Sequence, residues 1–119
     1  MKLKVLGLLL LSTVSLAAEV KSASVIGKNI QVEVVYGGGC GEHTFDLKLN
    51  PACLESFPVQ CSAQLYHDSN GDVCEGLVHK SLIFSMKKMG LVDSYFSRAS
   101  LTITGDNNSR ATVTLPDFN

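Results

Sequence analysis

Residues 67–76, HDSNGDVCEG, gather Asp68, Ser69, Asn70, Asp72 and Glu75 around a glycine and a cysteine. Oxygen-rich turns of this kind hold hard cations such as Ca²⁺, which takes carboxylate and carbonyl oxygens. Asp68, Asn70 and Asp72 stand where an EF-hand loop has its first three side-chain ligands, and Glu75 adds a fourth donor. The match then stops: Val73 occupies the position that needs Gly, and His79 the position of the bidentate Glu. A structural, low-affinity calcium site on Asp68, Asn70, Asp72 and Glu75 therefore competes with an Asx-type turn, in which Asp68 or Asn70 accepts from backbone N–H groups and the charges face water. The residue pattern favours the turn.

Two histidines bear on the same region. His43 and His67 each continue an apolar alternation, so both imidazoles are expected to point inward at one edge of the core, with Glu42 beside them. Two histidines and a carboxylate suit tetrahedral Zn²⁺; the competing and favoured expectation is a hydrogen-bonded pair of imidazoles. Glu42, Glu75 and the histidines are the only candidates for acid–base work, and that needs a cleft. No GxSxG, HExxH or CxxC pattern occurs, and Gly37-Gly38-Gly39 has neither the lysine of a P-loop nor a GxGxxG spacing. No catalytic residue and no required cofactor are assigned.

The elements that must carry these residues alternate with period two. Ile30, Val32, Val34 and Tyr36 share one face; Phe45, Leu47 and Leu49 another; then Val59, Cys61, Ala63 and Leu65; then Leu82, Phe84 and Met86; then Leu101 and Ile103; then Ala111, Val113 and Leu115. With a further strand over 22–26, before the Gly27-Lys28-Asn29 turn, this predicts seven short strands and an all-β antiparallel sandwich, Ig-like in general architecture. GDNNS, residues 105–109, suits a hairpin turn because Asp, Asn and Gly tolerate positive φ. It also contains the sequon Asn107-Asn108-Ser109, relevant in a eukaryotic host. Residues 87–99 carry too many apolar groups for a solvated loop and are expected to form a lid or short helix at one end.

Cys40, Cys53, Cys61 and Cys74 make an even set, expected to form two disulfides. Strands that run alternately up and down put Cys40 and Cys74 at one end and Cys53 and Cys61 at the other, which selects those two pairs. Chain entropy suggests about 4 kcal/mol for the longer loop and about 2.5 kcal/mol for the shorter.

The first residues, MKLKVLGLLLLSTVSLA, combine lysines, an apolar run and the small-x-small triplet Ser15-Leu16-Ala17. This is the pattern of a secretory signal peptide over 1–17, followed by a single domain over 18–119. The apolar run is shorter than the roughly 20 residues of a spanning helix, so no membrane insertion is expected after cleavage and the location is secreted or periplasmic. Loss of Lys2 and Lys4 moves the formal net charge of −1 two units further negative, which disfavours nucleic acid.

DSNGDVCE, residues 68–75, resembles the acidic, Cys-terminated loop of Excalibur-type extracellular calcium-binding domains, with two residues fewer between the last Asp and the Cys. Over a longer span, GGGC-x-x-H (37–43) followed by HD-x-x-GD-x-CE (67–75) resembles small exported bacterial proteins of no assigned function. That resemblance implies a secreted β domain and carries over no catalytic residue. The expected function is an exported, non-catalytic binding module that presents its disulfide-pinned polar end to a protein partner. The alternative is a secreted protease inhibitor that uses the loop CLESFPVQC, pinned by Cys53 and Cys61 and stiffened by Pro58.

Overall fold

The computed structural model describes residues 17–118, so the expected leader lies outside the described residues except for Ala17. Among the described residues, seven strands form two sheets: β1 (Ala18–Ile26), β2 (Asn29–Gly38), β3 (Thr44–Leu49), β4 (Gln60–Asp68), β5 (Gly76–Ser85), β6 (Ser100–Thr104) and β7 (Arg110–Thr114). One sheet has the order β1-β2-β5 and the other β3-β4-β6-β7. The fold is the expected all-β sandwich, and its cysteines pair as Cys40–Cys74 and Cys53–Cys61.

Alternation puts Ile30, Val32, Val34 and Tyr36 of β2 inward, against Leu47, Ala63, Leu65, Leu101, Ile103 and Val113 of the facing sheet. Each strand loses apolar surface to the opposite layer while its polar residues stay wet, which is the main stabilising term for two such sheets. Residues 87–99 close one end: Leu91 and Ala99 are buried, and Ser94–Phe96 form a single 3-10 turn capped by Asp93.

The first strand differs from expectation. It begins at Ala18 rather than near residue 22, and Ala18 and Val20 belong to the core. The pairing with β2 shifts register between Val20 and Ser22, so inward positions change parity there, from 18 and 20 to 23 and 25. A bulge inserts one extra residue and hides a strand from any count of strict alternation.

The chain changes sheet between β2 and β3 and changes back between β4 and β5, so Cys40 and Cys74 join the two crossing segments. Strand β4 pairs in parallel with β6, a partner far along the chain. On the flank between β3 and β5, two sheet edges border a groove of about 720 Å³ lined in part by Phe45, Leu47, Phe84 and Met89. Lys80 lies on the same face of β5 as Leu82 and Phe84, with its Nζ 6.0 Å from the centre of the Phe45 ring. An inward-facing charge on an edge strand opposes pairing with another chain.

Candidate functional site

At the end joined by Cys40–Cys74, the segment after β2 turns back over the segment after β4. Asp72 lies between them and is almost fully buried. Its Oδ2 accepts from the backbone N–H groups of Gly39, Cys40 and Gly41 at 3.0, 3.1 and 3.1 Å, and its Oδ1 from that of Cys74 at 3.0 Å. Successive N–H groups converging on one point form an anion-binding nest, and here the anion is the protein's own carboxylate.

His43 completes the cradle. Its Nε2 lies 2.7 Å from Asp72 Oδ2, and its Nδ1 lies 2.6 Å from His67 Nε2. The His43 bond and the backbone donors of Cys74, Cys40 and Gly39 outweigh the cost of burial and pull the Asp72 carboxyl from its ordinary range down to about 2. An ionised carboxylate only accepts, so the proton sits on His43 Nε2. His43 Nδ1 and His67 Nε2 share the second hydrogen bond, its direction set by the tautomers of the two rings.

The rings are packed as well as bonded. His43 and His67 stack at 4.9 Å, Phe45 stacks on His67 at 4.8 Å, and Tyr36 covers His43 at 4.5 Å. These contacts arise because His43, Phe45 and His67 flank one antiparallel pairing, with Phe45 directly opposite His67. Gly38 is needed here: a Cβ would stand 2.6 Å from His43 Nε2 and 2.8 Å from Asp72 Oδ2. Both atoms are the fixed ends of bonds, so neither can retreat cheaply. Gly38→Ala is expected to lower stability by about 1–3 kcal/mol, read as a lower urea midpoint together with disturbed histidine resonances, whereas Gly27→Ala meets open space and, at a φ of 59°, costs backbone strain in its own turn while leaving the histidines undisturbed.

The residues expected to form a calcium loop do not converge. Asp68 Oδ1 caps the N–H of Asn70 at 2.9 Å, Asn70 Nδ2 donates to the Glu42 carbonyl at 2.9 Å, and Glu42 and Glu75 are exposed. This is the Asx-type turn, with Asn70 at a positive φ of 53°. Asp72 is turned away from the others, into its cradle. The zinc candidates His43 and His67 are bonded to each other, and both nitrogens of His43 are already engaged. Among the described residues, the group whose ligand atoms lie close together is Cys40, Asp72 and Cys74, and its two sulfurs are joined in the disulfide.

The opposite end has a different character. The loop between Cys53 and Cys61 is closed by the disulfide and by paired backbone bonds between Leu54 and Gln60, at 2.8 and 3.2 Å. Ser56 Oγ donates to the Pro58 carbonyl at 2.8 Å and accepts from Gln60 Nε2 at 3.1 Å. Tyr95 Oη donates to Glu55 Oε2 at 2.5 Å, a contact that raises the Tyr95 phenol above its ordinary range and ties the loop to the 3-10 turn. At the tip Phe57 is 101% exposed, and Leu54 at the base is exposed as well. A depression of about 470 Å³ beside Phe57 is bounded by Pro58, Val59, Tyr95 and Arg98, among others.

Sequence reasoning marked this loop for Pro58 and the cysteines but not for Phe57. Its alternation places Val59 and Cys61 inward, while 57 belongs to the turn itself, where periodicity says nothing about exposure. No family model, curated protein or solved structure shows a significant match to the chain.

Proposed function

We propose that this protein is an exported, non-catalytic interaction module that presents the Cys53–Cys61 loop to a protein with an apolar pocket for Phe57. The observation that carries the reading is a fully exposed aromatic side chain on a loop pinned at both ends. An exposed Phe forfeits the transfer free energy of burial in the free protein and recovers it on docking. A loop already ordered loses little further entropy when bound.

The polar end supports this reading by contrast, because Asp72 and His43 are spent on each other and on the backbone. Two disulfides favour an oxidising, extracytoplasmic setting. Among the described residues no helix is long and apolar enough to cross a membrane.

Wild-type protein and Phe57→Ala, used as parallel baits on the native exported fraction, test the proposal. The expected result is a partner held by the wild type and weakened about 30-fold or more by the substitution. Identical retention by both baits would remove the loop from the interaction. The same pinned loop also suits a protease inhibitor, in which Phe57 would fill a specificity pocket. Incubation with a panel of proteases separates the two: inhibition that Phe57→Ala abolishes favours the inhibitor, and no inhibition at micromolar protein discards it.

A further inference from the structure

Strand β1 starts at Ala18, whose side chain is 1% exposed in the core and whose backbone nitrogen lies 2.8 Å from Asp106 Oδ2. The β6–β7 hairpin, residues 105–109, is shaped around this strand end. Ser109 Oγ accepts from Val20 N at 2.9 Å and donates to the Asp106 carbonyl at 2.6 Å, while Asn107 Nδ2 donates to Glu19 Oε2 at 2.9 Å. A Cβ on Gly105 would stand 2.8 Å from Val20 Cγ2 and 3.0 Å from the Ala18 carbonyl oxygen, so the turn fits against the first three residues of the strand. Two residues into β1 a neutral hydroxyl suffices as acceptor for an amide. At Ala18 the acceptor is a full carboxylate.

On the premise of the cut between Ala17 and Ala18 expected from the leader, we infer that the α-ammonium released at Ala18 forms an ion pair with Asp106, which locks the hairpin onto the first strand. The reaction is a peptidase-catalysed hydrolysis. Water supplies the second oxygen of the new Ala17 carboxylate, and its protons pass to the Ala18 nitrogen, which becomes the ammonium. Ser15 and Ala17 are the small residues that such a cut requires.

The position is set from the folded side too. A cut one residue later would remove the Ala18 methyl group from the core and take its nitrogen from Asp106. A cut one residue earlier would leave a neutral amide facing the carboxylate. Because Ala18 is buried in the folded domain, the cut precedes folding, as it does for a chain still in transit. The ammonium has three donors where the amide had one, and a charge-assisted bond is stronger than a neutral one.

The test uses the full chain, expressed with its first residues in a host that exports it. N-terminal sequencing of the exported product is expected to read Ala-Glu-Val, starting at Ala18. Selective Nα-acetylation of that product is expected to lower its melting temperature by about 2–5 °C, and to have no such effect in Asp106→Asn. Asp106 is exposed, so that variant retains its core. A product that starts at any other residue, or one whose response to acetylation is the same with and without Asp106→Asn, would overturn the inference.

Discussion

Asp72→Ala is expected to lower the melting temperature by about 10 °C or more, because it leaves several buried donors without an acceptor at once. The carboxylate accepts from four backbone N–H groups and from His43. Truncation leaves the donors of residues 39–41 around a space lined by glycine backbone, with no side chain to replace the oxygen. The pH dependence provides a second reading. Folding lowers this carboxyl to about 2, below its unfolded value of about 3.9, so the folded state favours the ionised form. The stability it confers is therefore complete above roughly pH 4 and is lost as pH falls through about 2. Thermal melts from pH 7 to pH 2 should show a steep acid limb in the wild type and a flatter one in Asp72→Ala. A variant that melts within about 2 °C of the wild type at neutral pH would show that the cradle holds no essential anion.

Replacing both Cys40 and Cys74 with serine is expected to cost about 4 kcal/mol, or about 15–30 °C for a domain of this size. The corresponding change at Cys53 and Cys61 should cost about 2.5 kcal/mol, since the loop it closes is shorter. The sequence separations are 34 and 8 residues. The larger loss also carries a chemical signature. Cys40 and Cys74 both donate backbone N–H groups to Asp72, so the bridge and the carboxylate organise the same two crossing segments. Removing either loosens what the other depends on, and contacting groups of this kind are not additive. Urea unfolding of the two parents and the combined variant should give a combined loss smaller than the sum. Strict additivity would mean that the disulfide acts on the unfolded chain alone.

The two ends of the sandwich thus do different work. At one, a carboxylate, two histidines and a disulfide are turned inward and fasten the crossing segments. At the other, a disulfide holds a loop rigid while its aromatic side chain faces outward. The residues that looked most reactive are placed where they stabilise, and the aromatic side chain left fully exposed is Phe57.

Much of this was legible without coordinates. Period-two alternation of β-branched and aromatic residues specifies strands because side chains on an extended chain point to opposite faces. The direction of successive strands put Cys40 near Cys74 and Cys53 near Cys61, since covalent pairing requires ends that meet. The inward direction of His43 and His67 followed from the same parity. Where parity breaks, the reading fails: the bulge between Val20 and Ser22 concealed the start of β1.

Only the tertiary structure decided what Asp72 is for. In the chain it is one acid among several in a polar turn, indistinguishable in kind from Asp68. Its role depends on three N–H groups more than thirty residues away, brought to it by the chain's passage between sheets and admitted by the absence of a side chain at Gly38. The parallel pairing of β4 with β6, the meeting of Ala18 with Asp106 and the outward direction of Phe57 are likewise facts of assembly. Local pattern dictates which face of a strand is apolar. Which distant backbone donors converge on a given carboxylate is settled only when the layers close.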